Sequence, residues 1–320
     1  MPAVSKSDTY DALLTTTLPY RARQLWDNLE DAVTLFRLIE NTKSEQSGHR
    51  IEIQLLYGAN STVGRRSDYD TVDMSKQDGI TMAFVDWKDL DGSISISDRE
   101  RAMNSGKQQA ISLFEAKMQQ LEVTMRNEIN SDLFSLGSTS NQIQGLQYWL
   151  RTSTATVAGI DDSVNTWWQN QSQTSVGSFA TNGRDKWRTL YNDCSLGANA
   201  QHPTDIITTQ TVYEAFEKTF EPAERYAVDS GAKALTAGTE SLKFKGCKVT
   251  WDEDCLSGAA YFLNTRDNRI QFCVLPDHYF KMTPKNRPSD QRIEGSILTV
   301  TGNLVFKTRR RVGVATGIVA

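Results

Sequence analysis

Three consecutive carboxylates, Asp252-Glu253-Asp254, offer the oxygen donors that a hard cation such as calcium takes. They lack the alternating spacing of an EF-hand loop, so a solvated turn between strands accounts for them better. The three histidines, His49, His202 and His278, are far apart, and no H-E-x-x-H occurs. The sequence has no G-x-S-x-G elbow, no G-x-G-x-x-G and no P-loop; Ser105-Gly106-Lys107 lacks the glycine five residues before Gly106. No catalytic residue, cofactor-binding residue or metal ligand is therefore nominated, and the expectation is a chain that is not an enzyme. The four cysteines, Cys194, Cys247, Cys255 and Cys273, form no C-x-x-C, which excludes the usual zinc and thioredoxin-type spacings. Reduced, buried thiols are expected, with a Cys247–Cys255 disulfide reserved for an oxidising setting.

Charge offers two further candidates. Lys307 with Arg309, Arg310 and Arg311 is the strongly basic run. It suits weak, non-specific contact with nucleic-acid phosphates, or ion pairing with the acids of a long helix. Arg65, Arg66, Asp68, Tyr69, Asp70 and Asp73 put both signs and an aromatic on one polar loop. Such a loop is either a solvated surface or a source of inter-subunit ion pairs that set register.

Positioning these groups falls to a long arm and a long helix. Ile51, Ile53 and Leu55 alternate with Glu52 and Gln54, and Ile80 to Val85 is apolar at nearly every position. Between them run 23 residues, Tyr57 to Gly79, with almost no apolar character; ordinary connections take about 4–6 residues. An isolated hairpin is marginal in water, so the arm must lie on something else, and a neighbouring copy is the economical candidate. Asp91-Gly92 reads as a turn into the alternating Ser93–Ser97. Ser97 and Glu100 then form a capping box. The stripe Ile111, Phe114, Met118, Leu121, Met125, Ile129 and Leu133 extends a helix to Phe134, about 57 Å if unbroken at 1.5 Å per residue, with Gly106 as a candidate break.

An earlier helix spans Pro19 to about Asn41 through Leu25, Leu29, Val33, Phe36 and Ile39. Residues 137–199 form an irregular region whose Trp149, Trp167, Trp168 and Trp187 need burial or stacking. Strands are expected at Asp205–Thr209, Leu242–Trp251, Ala259–Asn264, His278–Met282 and Ser296–Lys307, and a helix from about Thr211 to Phe220. In the last strand Leu298, Val300, Leu304 and Phe306 share one face, and Thr299, Thr301 and Asn303 the other. At 320 residues, 38% hydrophobic and a mean hydropathy of −0.48, the chain is lean for one compact globule. An extended shape with burial between subunits follows. The net charge of −4 does not indicate general disorder. The polar first 16 residues lack a signal-peptide apolar region. No apolar run approaches the roughly 20 residues of a membrane span, so assembly in the cytosol is expected.

Several segments together resemble the major capsid protein of tailed bacteriophages, with its Hong Kong 97-type shell fold. They are LLYGANSTVGRRSDYDTVDMSKQDGIT (Leu55–Thr81), PTDIITTQTVYEAFE (Pro203–Glu217), FKGCKVTWDEDCLSGAAYFLN (Phe244–Asn264), HYFKMTPKNRPSDQ (His278–Gln291) and TGNLVFKTRRRVGVATGI (Thr301–Ile318). The ordered set carries the resemblance, which is weakest over Ser138–Asp185. It implies an α+β fold with an N-arm (1–47), an extended β-hairpin loop (48–97) and a peripheral domain (98–136 with the spine helix, 276–320 with closing strands). An axial domain would take 137–275. The implied function is an icosahedral virion shell of pentamers and hexamers around double-stranded DNA, assembled in the host bacterial cytoplasm. Its partners would be further copies of the chain, a separate scaffolding protein, a portal and decoration proteins, with no membrane. No residue pattern assigns the covalent cross-link of some relatives. An encapsulin-like nanocompartment shares the fold. A carbohydrate-active enzyme, suggested by the tryptophan-rich middle, would require paired carboxylates about 5–10 Å apart.

Overall fold

Two mixed sheets share an apolar core in this computed structural model, which describes residues 33–103, 113–139, 141–195, 201–219, 242–288 and 291–319. The polar N-terminal residues, Leu25, Leu29, Gly106 and Ile111 lie outside the described residues. The five-stranded sheet is built on the 14-residue strand Ile293–Phe306. That strand pairs antiparallel with Lys88–Ser97, Lys281–Met282 and Ile270–Val274; Ser44–Glu45 adds a parallel edge. The six-stranded sheet runs Leu242–Phe244, Cys247–Trp251, Asp205–Thr208, Ala260–Leu263, Gly313–Ala315 and Gln171–Gln173. Helices pack against these sheets without alternating with the strands, as an α+β chain requires.

The sheets exchange segments in a way that simple sequence borders miss. Ile270–Val274, expected in the axial region ending at 275, belongs to the five-stranded sheet. Gly313–Ala315, expected with the peripheral closing strands, crosses into the six-stranded sheet. Ile270–Val274 is buried at every position. A short strand covered on both faces shows no alternation, which is why periodicity did not mark it.

The long strand also buries both its faces toward its C-terminal end. Leu298, Val300, Leu304 and Phe306 are in the core as expected, but so are Thr301 and Asn303. Their polar groups are satisfied there: Thr301 Oγ1 donates to Asp89 Oδ1 at 2.6 Å, and Asn303 Nδ2 donates to the Asp86 carbonyl at 2.9 Å. Asn303 Oδ1 accepts from the Gln144 amide at 3.1 Å. Buried polar groups that find partners in this way lose little.

The expected turn at Asp91-Gly92 is instead continuous strand within Lys88–Ser97. Gly92 serves close approach: a Cβ there would meet Leu121 Cδ1 at 2.5 Å and Met125 Sδ at 2.9 Å. The missing side chain lets the spine helix lie down on the strand. The capping box forms as read, with the Ser97 amide on Glu100 Oε2 at 2.9 Å and the Glu100 amide on Ser97 Oγ at 3.2 Å. Helix follows at Asp98–Met103 and again at Leu113–Phe134. Of the stripe, Met125, Ile129 and Leu133 are buried, whereas Phe114, Met118 and Leu121 are only half-buried. Leu242–Trp251 is a hairpin rather than one strand. Its turn, Lys245-Gly246, has φ of 48° and 88°, the left-handed pair that a two-residue hairpin prefers. Of the other expected elements, the strand at His278–Met282 shortens to Lys281–Met282 and the helix runs Gln210–Lys218.

The acidic triplet is a turn with Glu253 and Asp254 exposed, as expected, but its first member departs from that reading. Asp252 is buried and joins three elements. It accepts from the Leu35 amide at 3.1 Å, in the first turn of helix Thr34–Glu40, and from Asn130 Nδ2 of the spine helix at 3.0 Å. Asn130 Oδ1 in turn accepts from the Phe36 amide at 3.1 Å, so two amides at the helix start are satisfied. Burial holds Asp252 above its ordinary pKa of 3.8, and Asp132, also pushed up by burial, behaves alike. The folded chain therefore binds these protons more tightly than the unfolded chain. Their contribution to stability is fully present below 3.8 and is lost as pH rises through the folded values. The unfolding-midpoint difference between wild type and Asp252→Asn is accordingly expected to move in favour of wild type as pH is lowered from neutral. Thermal melts across that range check it.

Candidate assembly interface

The hairpin and its loop carry the most exposed large apolar side chains among the described residues. Ile51–Leu56 and Ile80–Val85 pair antiparallel along their whole length. Their inner residues Ile51, Ile53, Leu55, Ala83 and Val85 join a core cluster with Val157, Ala158, Ile160 and Trp168 of the same chain. The Phe84 amide donates to the Ala158 carbonyl at 3.1 Å, and the Phe84 ring occupies the space where a Cβ on Gly159 would stand, 2.5 Å away. Tyr57 stacks on Trp167 with centroids 5.0 Å apart and planes 16° apart. Trp87 Nε1 donates to the Gly48 carbonyl at 2.9 Å, and Arg50 pairs with Asp86 at 2.9 Å. The arm does lie on something else, as expected, but its base lies on its own subunit rather than on the neighbouring copy taken as the economical candidate. The supporting segment, Thr156–Trp168, is irregular and gave no periodic signal.

Beyond the base the loop narrows and opens to solvent. The amides of Tyr57 and Gly58 both donate to the Gly79 carbonyl, and Gly58 and Gly79 pack backbone to backbone. The loop is not apolar-poor in effect. Tyr69 is 99% exposed, Met74 90% and Val63 82%, with Val72 also exposed. On the outer face of the strands Leu56 and Ile80 stand 80% and 74% exposed, beside Met82 and Phe84. Large apolar side chains gathered on one element are unusual in water and are the kind that an interaction buries. Arg65, Arg66, Asp68, Asp70 and Asp73 are all exposed. Their bonds shape the loop itself: Arg66 Nη2 donates to the Thr62 carbonyl, while Asp70 and Asp73 accept from the Ser67 and Ser75 amides.

The basic run divides. Arg310 is exposed and Lys307 and Arg311 are half-buried, but Arg309 is 0% exposed and cannot touch a nucleic acid. Its Nε donates to the Trp149 carbonyl at 2.9 Å, Nη1 to the Trp168 carbonyl at 3.0 Å and to Asp162 Oδ2 at 3.2 Å, and Nη2 to Asn170 Oδ1 at 3.2 Å. Burial pulls its pKa down while Asp162 holds it up. Asp162 Oδ1 accepts from the Ala155 amide at 2.7 Å, so both ions are well bonded. The partner is therefore a loop carboxylate, not an acid of the long helix. Three consecutive arginines carry no mark of which one turns inward. Pairing across 147 positions left no local trace.

The remaining titratable groups offer little chemistry. All four cysteines are free and buried. Burial pushes Cys273 to about 11 and Cys247 to about 12, leaving protonated, unreactive thiols. Among the described residues no group of three or more His, Cys, Asp or Glu is placed to hold a metal, and no helix is long and apolar enough to cross a membrane.

A sheet built on one very long strand, a helix laid along it, a second six-stranded sheet and a projecting hairpin together make the Hong Kong 97-type fold of capsid shells. No family model matches the sequence, and no curated protein matches it. Solved structures do. A chain of the Cyanophage A-1(L) capsid asymmetric unit superposes with a TM-score of 0.70 at 17% identity, over 94% of this chain and 97% of that one. The capsid of a native GTA particle gives 0.66 at 12% identity, over 94% and 95%. An encapsulin complex from Synechococcus elongatus gives 0.60 at 9% identity, over 99% and 96%.

Proposed function

We propose that this chain is the major capsid protein of a tailed bacteriophage, assembling as pentamers and hexamers into an icosahedral shell around double-stranded DNA. The observation that carries the proposal is the arm: its base is docked on its own subunit, while its tip holds Tyr69, Met74 and Val63 in water. Exposed side chains of this size are buried when a neighbouring copy covers them. Residues 1–47 would be the N-arm, 48–97 the extended loop, 98–136 and most of 276–320 the peripheral domain, and 137–275 the bulk of the axial domain. Arg65, Arg66, Asp68, Tyr69, Asp70 and Asp73 would meet the adjacent subunit and set its register. A separate scaffolding protein, a portal and decoration proteins would complete the head, built in the host cytoplasm, and the role is structural rather than enzymatic.

The likeness to an encapsulin over 99% of the chain supports a second reading, a shell around protein cargo. The contents of purified particles separate the two. Nuclease-protected DNA in particles from the native host supports the phage head. A co-purifying enzyme with no protected DNA supports the compartment and overturns the first reading.

A further inference from the structure

We infer that the face around the C-terminal end of helix Arg184–Cys194 binds the phosphate backbone of nucleic acid. The fold gathers here cations that are far apart in sequence. Lys245 Nζ donates to Asn192 Oδ1 at 2.8 Å and lies 4.9 Å over the Tyr191 ring. Tyr191 adjoins His202, centroids 6.0 Å apart, and Arg266 Nη1 reaches His202 Nε2 at 3.3 Å. Because His202 Nδ1 meets the Pro203 carbonyl at 2.8 Å, the ring donates there and accepts from Arg266. Arg269 follows, its carbonyl bonded to the Lys307 amide at 2.8 Å, and then Arg310 and Arg311. The charges of Arg310 and Arg269, after burial, lower the pKa of Arg311, as expected where like charges are crowded.

The acids nearby offset this row only in part. Asp193 lies at the helix end beside Cys194, and Asp205 Oδ2 accepts from the hydroxyls of Thr204 and Thr265. The largely buried Arg269 is engaged by Asp267 at 3.6 Å and by Gln201 Oε1 at 2.9 Å. That leaves Lys245, Arg266, Arg310 and Arg311 as the accessible cations. Among the described residues neither Arg310 nor Arg311 has an ion-pair partner. A chain of net charge −4 thus carries one locally cationic face. Two observations favour nucleic acid over an acidic protein. Guanidinium forks suit phosphate and carboxylate oxygens alike, but the Tyr191 and His202 rings between the cations can stack bases. No segment of this face contributes a large exposed apolar side chain, and a protein interface is normally centred on such residues. The basic run at Lys307–Arg311 is therefore only one end of the surface, with Arg309 excluded. Placing this face toward the lumen rests on the capsid reading; the binding itself does not.

The test is fluorescence anisotropy of the full chain with labelled random-sequence duplex and single-stranded DNA over a salt series. Binding should weaken with salt at a slope of about −0.9 per contacted phosphate on duplex. The exposed-residue variant Lys245→Glu/Arg266→Glu/Arg310→Glu should bind at least ~10-fold more weakly, with a slope shallower by about 2–3. Reversing charges beside the five-stranded sheet instead, Lys281→Glu/Lys285→Glu, should leave binding unchanged. Should the triple variant misfold, the milder Lys245→Ala/Arg310→Ala is expected to show the same loss in smaller measure. Binding unaffected in either variant, a salt-independent wild type, or tighter binding of poly-glutamate than of DNA would each overturn the inference. Sedimentation of every variant keeps a failure of shell assembly distinguishable from a failure of this surface.

Discussion

Arg309→Ala is expected to destabilise the subunit by about 3–5 kcal/mol, because it leaves Asp162 as an uncompensated buried charge. The change also strands two carbonyls, those of Trp149 and Trp168, and removes the cation from the face of the Trp168 ring, 5.6 Å away. Arg309→Lys should recover little, since one ammonium cannot reproduce a fork spread over four acceptors. Removing both charges, as Arg309→Met/Asp162→Asn, should cost clearly less than Arg309→Ala, since paired removal leaves no lone ion. Denaturant unfolding of the set decides it. A loss below about 1 kcal/mol for Arg309→Ala would mean that the knot is not what ties the closing segment to residues 149–170.

Deleting Gly58–Asp78 is expected to abolish closed shells while leaving the subunit folded. The deletion joins Tyr57 to Gly79 as a two-residue connection between the paired Leu56 and Ile80, a length that hairpins accept. Every contact that docks the base is kept, including Tyr57 on Trp167 and Phe84 on Ala158. The unfolding midpoint should therefore stay near wild type, and capsomer-sized or smaller species should replace particles in sedimentation and imaging. Intact shells from this variant would remove the arm from the assembly mechanism.

How much of this was legible in the sequence differed by element. The hairpin strands, the capping box and the C-terminal part of the spine-helix stripe, Met125, Ile129 and Leu133, rest on local patterns, and each stands where alternation or spacing put it. What escaped depended on distant partners. Ile270–Val274 is buried on both faces and so lost its alternation. Gly92 has the composition of a turn, yet it is in mid-strand because Leu121 and Met125 fill the space a side chain would need. Asp252 and Arg309 read as surface charges until helix Thr34–Glu40 and the Asp162 loop are seen to cover them. The basic face was invisible for the same reason: Lys245, Arg266 and Arg310 come together only through the six-stranded sheet and the turns beside it.

Electron microscopy of the purified full chain, after sizing by light scattering, tests self-assembly most directly. Closed shells, or rings of five or six subunits that close when a scaffolding protein is supplied, are the predicted result. A homogeneous 35.9 kDa monomer at every concentration, with the scaffold present as well as absent, would contradict it.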